Sequence, residues 1–262
     1  LGMSARQAAE VFKTWNKGPL NSYLIEITGH VLEAVDEQTG KPLVELILDK
    51  AGQKGTGRWS AIAAEELGVP ATVIEGAVAA RSLSAMKDER VAAEGLYGKR
   101  KASRADISLE TLEKGLLAGK IVSYAQGFAI MAKASEENGW NLPLGTIARI
   151  WRAGCIIRSR FLDQMSAAYA NGSTANLLTA PDFVEVMKGA HGALRQVVAA
   201  GALGEFALPC LSAALAYFDG YRQALGTANL IQGQRDFFGA HGFEIPGRGP
   251  DQHGKWPATI QH

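Results

Sequence analysis

From Val11 to Leu225 the apolar residues of this chain recur at spacings of three and four, and no apolar/polar alternation in that span marks a strand. A 3.6-residue period repeated through successive segments commits them to amphipathic helices, so the chain is expected to be all-α, a large single domain of roughly eight to ten helices. The first begins at Ser4-Ala5-Arg6-Gln7, the pattern of a capping box, and carries Val11, Phe12 and Trp15 on its buried stripe. Leu20, Leu24, Ile27, Val31 and Val35 continue as a second helix. Pro42 can open another, at the position where its missing N–H costs little. Further helical patterns run from Pro70 toward Ala93, from Leu109 to Asn138-Gly139, over Ile147 to Tyr169, from Pro181 to Ala200 and from Glu205 to Leu225. The Leu109 segment contains Gly115, Gly119 and Gly127, each costing about 1 kcal/mol of helix propensity against alanine. Close packing on neighbouring helices must therefore hold it. No internal repeat at solenoid periods is present.

Beyond residue 238 the composition changes. Gly242, Pro246, Gly247, Gly249, Pro250, Gly254 and Pro257 favour an extended C-terminal tail over a helix. The tail nevertheless carries Phe243, Ile245 and Trp256, which need cover from water. The expected organisation is a helical domain over residues 1–238 and a tail over residues 239–262.

At 262 residues the chain has room for one large domain or two small ones. A net charge of +1 gives no global field for nucleic acid or an anionic membrane. The local cluster Lys99, Arg100, Lys101 and Arg104 reads as a solvated loop between helices. Two cysteines far apart, Cys155 and Cys210, fit a reducing, cytoplasmic setting better than a disulfide scaffold. The apolar run from Phe206 to Phe218 is broken by Pro209 and is shorter than the ~20 residues of a membrane span. No signal peptide is visible, and Leu1 is not an initiator methionine, so the expectation is that something once preceded it.

The chemistry concentrates in Asp49 to Ser60, D-K-A-G-Q-K-G-T-G-R-W-S. Its glycines let backbone N–H groups approach a ligand closely, and the helical spacing of Trp59, Ile62, Ala63, Glu66 and Leu67 opens a helix directly after it. A helix N-terminus offers unpaired N–H groups to an anion, and Lys54 and Thr56 add a charge-assisted bond and a hydroxyl. A glycine cap followed by a plain turn would show the same residues. A dinucleotide-binding turn is excluded, because Ser60 stands where the third glycine belongs and no strand–helix alternation follows. Arg81, among small residues on the next helix, has room to fork onto an oxyanion; the plain alternative is a surface arginine. Arg149, Arg152, Arg158 and Arg160 read as an arginine-laced solvent face or subunit interface. Arg235 and His241 stand near the tail. No Cys/His cluster has metal spacing, so no metal is expected, and no Ser-His-Asp arrangement is supported. The residues alone support binding of a phosphorylated metabolite and name no reaction.

Five blocks carry a resemblance: A-G-Q-K-G-T-G-R-W (51–59), S-L-S-A-M-K-D-E-R (82–90), Y-A-Q-G-F (124–128), R-A-G-C-I-I-R-S (152–159) and A-N-L-I-Q-G-Q-R-D-F-F-G-A-H (228–241). In this order they resemble the decarboxylating 6-phosphogluconate dehydrogenases. The resemblance implies NADP-linked oxidation and decarboxylation of 6-phosphogluconate to ribulose 5-phosphate. It implies that Lys54 and Thr56 bind the phosphate, that Arg81 binds substrate, and that Arg235 and His241 reach the substrate from the partner of a homodimer with exchanged tails. His253 to Trp256 resembles the histidine-x-x-tryptophan of bacterial members. The family's coenzyme domain, which holds most of the NADP site, and its catalytic lysine and glutamate are expected upstream of Leu1, so this chain alone is expected to be inactive. A stand-alone dimerisation or phosphosugar-binding module is the alternative, and a helical domain from another β-hydroxyacid dehydrogenase is a third.

Overall fold

Ser4 caps the first helix as its sequence predicts. In α1 (Ala5–Trp15) the Ser4 hydroxyl accepts from the Gln7 N–H at 3.2 Å, and the Gln7 side chain accepts from the Ser4 N–H at 2.8 Å. α2 (Tyr23–Glu33) packs on α1. α3 (Leu43–Leu46) follows Pro42, and α4 (Thr56–Glu66) follows the glycine loop. Next come α5 (Thr72–Ala85), α6 (Lys87–Tyr97), the long α7 (Leu109–Asn138), α8 (Leu144–Trp151) and α9 (Phe161–Ala170). A single 3-10 turn (Leu177–Thr179) precedes α10 (Pro181–Leu203), α11 (Pro209–Tyr221) and α12 (Ala228–Gly239). This computed structural model describes residues 1–100, 104–170 and 176–256. Lys101 and Ser103 of the basic loop, and the tail from Pro257 onward, lie outside the described residues.

The chain is all-α, with twelve α-helices among the described residues, more than the eight to ten expected. Two segments read as continuous are each divided. The Pro70–Ala93 pattern breaks at Met86, whose ψ of 49° is not helical. No glycine or proline marks the break. The Arg90 guanidinium donates to the Ser84 carbonyl at 3.3 Å, satisfying a group that a continuous helix would have paired internally. The Ile147–Tyr169 pattern ends at Trp151 and resumes at Phe161. Gly154 between them is left-handed, with φ +71°, and the backbone of this stretch pairs elsewhere. Tyr23 N–H donates to Arg158 O at 3.1 Å and Arg160 N–H to Asn21 O at 3.2 Å. The arginine block is therefore a loop stitched to the start of α2, with Arg158 paired to Glu26 at 2.6 Å.

α7 is the spine. It packs on α10, α5, α8 and the 3-10 turn, and buries Leu117, Ile121, Val122 and Phe128. Two of its three glycines answer to packing: a Cβ on Gly115 would stand 2.7 Å from Val197 Cγ2, and one on Gly119 2.5 Å from Leu211 Cδ2, whereas one on Gly127 would meet open space. α7 is also long and apolar enough to cross a membrane by length and composition; half of its most apolar window is buried inside this fold.

Two units emerge from the packing, Leu1–Tyr217 and Phe218–His262. The second takes in α12 together with the tail, whereas the sequence places the boundary at residue 238. The tail is not simply extended. β1 (Phe243–Ile245) and β2 (Gly249–Gln252) pair antiparallel, Phe243 opposite Gln252 and Ile245 opposite Gly249, with an irregularity between. Gly247 and Gly249 supply the left-handed residues, each at φ +81°, that so short a hairpin needs. Trp256 covers Phe237 and Phe243, its ring centroid 6.2 Å from each.

Candidate functional site

The glycine loop is held from α5 and α6. Arg90 grips Asp49 twice, at 2.6 Å to the carboxylate and 3.2 Å to the backbone carbonyl, and Lys87 lies 3.7 Å from the same carboxylate. The Arg90 hydrogen bond, with the nearby charges of Arg90 and Lys87, holds the Asp49 carboxyl below its usual pKa. Further along, Ser84 Oγ accepts from Ala51 N–H at 3.0 Å, Gln53 donates to Ser82 Oγ at 3.2 Å, and the Arg81 guanidinium donates to the Gly52 carbonyl. The S-L-S-A-M-K-D-E-R block is thus the loop's support. Lys87 and Arg90 both reach Asp49 on the loop.

Gly55 ends the loop at φ +105°, a left-handed conformation open to glycine, and α4 starts at Thr56 with no side-chain cap on its first N–H groups. Gly57 is needed for closeness, since a Cβ there would lie 3.3 Å from Val78 Cγ2 on α5. Lys54, Thr56 and Arg81 consequently line one cavity of about 390 Å³ at the N-terminus of α4. The Arg81 fork retains donors beyond the one spent on Gly52. The α3 helix and an irregular stretch, not a strand, precede Gly55-Thr56-Gly57, so the loop is not the strand-to-helix turn of a dinucleotide-binding fingerprint.

Lys120 and Ser123 of α7, absent from the sequence-based set, stand in the same wall. Burial pushes the Lys120 ammonium down to about 8; its Nζ donates to the Leu20 carbonyl at 3.4 Å and sits 5.1 Å above the Phe161 ring. No periodicity could have singled it out, because it continues the helix pattern of α7. A larger, mainly apolar cavity of about 910 Å³ shares Thr56, Lys120 and Ser123 with the first and adds Trp59, Met131 and Ile156. Gln126, fully buried, aims α5 at this wall. Its Oε1 accepts from Val73 N–H at 2.9 Å and its amide donates to Thr72 Oγ1 at 3.1 Å, supplying the cap that α5 otherwise lacks.

Arg235 and His241 belong to the second unit. Arg235 is exposed on α12 and donates to Gln232 Oε1 at 3.0 Å. His241, also exposed, follows the left-handed Ala240 (φ 48°), its ring edge-on to Phe238 at 5.9 Å. Between them in sequence, Asp236 is buried and accepts four hydrogen bonds from Gly242, His253, Gly254 and Trp256. Among the described residues no three His, Cys, Asp or Glu side chains gather where they could hold a metal ion.

Comparison with known proteins places this chain in a family. Residues 1–256 match the family model described as "6-phosphogluconate dehydrogenase, C-terminal domain". The NADP(+)-dependent, decarboxylating 6-phosphogluconate dehydrogenase of Bacillus subtilis (strain 168) is 49% identical over 261 residues, 98% of this chain and 56% of that protein. The NAD(+)-dependent, decarboxylating enzyme of the same strain is 47% identical over 243 residues, 91% of this chain and 52% of that one. The solved Plasmodium falciparum 6-phosphogluconate dehydrogenase, studied in its apo form, with NADP+ and with its substrate 6-phosphogluconate, superposes with a TM-score of 0.93 at 39% identity, over 97% of this chain and 56% of that one. The chain spans about half the length of these relatives. From its first helix to Trp256 it belongs to the 6-phosphogluconate dehydrogenase family, and it carries that family's C-terminal domain.

Proposed function

We propose that this chain is the substrate-binding and dimer-forming part of a cytoplasmic, NADP-dependent, decarboxylating 6-phosphogluconate dehydrogenase. The observation that carries the reading is the convergence of Lys54, Thr56 and Arg81 on one cavity at a helix N-terminus. A phosphate there meets unpaired N–H groups, an ammonium, a hydroxyl and a forked guanidinium, a donor set suited to a dianion. Arg235 and His241 of the partner subunit complete the site in a homodimer with exchanged tails. Leu230, Ile231 and Phe238 of α12 support this, being 64%, 55% and 73% exposed in the single chain, since large apolar side chains gain about 1.5–3 kcal/mol each on full burial. The free thiols of Cys155 and Cys210 suit a reducing cytoplasm. The coenzyme is held elsewhere in the enzyme, so these 262 residues bind substrate without turning it over.

Calorimetric titration of the purified chain tests the binding reading. 6-Phosphogluconate is expected to bind and gluconate, lacking the phosphate, to bind far more weakly. Replacing both Lys54 and Arg81 by alanine should abolish the difference. Equal affinity for the two ligands, or undiminished binding in the double variant, contradicts it.

A further inference from the structure

The Asp236 carboxylate is 1% exposed, yet it lies in the short second unit. Its two oxygens are fully used. Oδ1 meets the Gly242 N–H at 2.9 Å and His253 Nδ1 at 2.7 Å, and Oδ2 accepts from the Gly254 N–H at 2.9 Å and the Trp256 indole N–H at 2.7 Å. No lysine or arginine is among these partners. A buried carboxylate without such a set would be strongly unfavourable. The Gly254 N–H bond, followed by those from Trp256, His253 and Gly242, outweighs burial and holds the group well below the usual carboxylate range.

What this clamp controls is the turn between α12 and β1. The Asp236 carbonyl accepts from Ala240 N–H at 2.9 Å, closing the helix on a left-handed alanine at φ 48°. Buried Gly242, itself at φ +72°, is pinned on both sides: its N–H by Asp236 and its carbonyl by the Gln232 amide at 2.6 Å. His241 stands between these fixed points, and Arg235 is the residue immediately before the clamp. An apolar contact could hold a tail down, but four directional bonds to one acceptor specify where its turn points. We propose that Asp236 is a positioning residue for substrate binding: its clamp on Gly242, His253, Gly254 and Trp256 fixes the turn that carries His241 just past the end of α12. The inference rests on the reading that these two residues bind the phosphosugar.

The test uses the full chain, with 6-phosphogluconate as titrant and the His241 ring resonance as the probe of position. In Asp236→Asn an amide NH₂ replaces one oxygen and faces two donors, so at least about tenfold weaker binding is expected, with a shifted or broadened His241 resonance. His253→Ala and Trp256→Phe each remove one donor. They should give smaller losses of the same kind, which keeps the idea testable if D236N fails to fold. Met187→Ala, in the core of α10 and lining neither cavity, controls for destabilisation and should bind as the parent does. If R235A and H241A weaken binding while D236N, or both milder variants, leave affinity and the His241 resonance unchanged, the clamp is overturned and the site reading stands. If R235A and H241A leave binding intact, the site reading falls, and the positioning role falls with it.

Discussion

Gly55 is the residue on which the candidate site turns. Its φ of +105° starts α4 where the unpaired N–H groups meet the cavity, and a side chain in such a conformation costs on the order of 1–3 kcal/mol. Gly55→Ala should therefore lower the thermal midpoint and weaken 6-phosphogluconate together, as calorimetry on both would show. Arg81→Lys keeps the charge but not the fork that spans the Gly52 carbonyl and an oxyanion. A loss of about tenfold or more in affinity is expected, because bonds to charged groups contribute about 1.5–3 kcal/mol. Lys120 gives a pH signature. Its folded pKa of about 8 lies below the ordinary value of 10.5, so between those two values the unfolded chain binds more protons and stability rises with pH. Tyr124, pushed up to about 12 by burial, acts oppositely only above its ordinary value of 10.0. Urea midpoints should rise from pH 7.5 to 9.5 in the parent chain and should not rise in Lys120→Met, where the raised Cys210 thiol lowers stability as pH passes its ordinary value of 9.0; an equal rise in both would contradict the assignment.

At the scale of elements, Gln126 and Gly115 show how α7 organises its neighbours. Gln126→Ala strands the buried Val73 N–H at the start of α5, and a loss of about 1–3 kcal/mol is expected in denaturant unfolding. Gly115→Ala adds helix propensity yet drives a methyl against Val197; a net loss of about 1–3 kcal/mol should result. A gain in stability would show that α7 and α10 have room to part. Most of the helices were legible because apolar spacing is a local property, and the Ser4–Gln7 cap was written in full. The breaks were not. Met86 carries no turn residue, and its break is sustained by Arg90 reaching back to Ser84 and across to Asp49, 41 residues away in chain order. The arginine block kept a helical rhythm, but its backbone pairs with the start of α2, over a hundred residues earlier. For the site, Lys54 and Thr56 were marked by the glycines around them. Asp236 was not, because its four partners lie 6 to 20 residues downstream and only the fold gathers them.

For the whole molecule, the proposed phosphosugar site is made by two copies, Lys54, Thr56 and Arg81 from one and Arg235 and His241 from the other. Ending the chain before Gly239 should weaken self-association, seen by sedimentation, along with ligand binding, since a two-fold exchange ties the two together. The most direct measurement is complementation. Chains carrying Lys54→Ala and Arg81→Ala are mixed with chains carrying Arg235→Ala and His241→Ala, each mixture is unfolded and refolded together, and 6-phosphogluconate is titrated. Each parent variant has only damaged sites. A mixed dimer with exchanged tails pairs the intact Lys54 and Arg81 of one chain with the intact Arg235 and His241 of the other, so one site of full affinity per mixed dimer is predicted. If the mixture binds no better than the two variants measured separately, the site is built within a single chain and the central claim is contradicted.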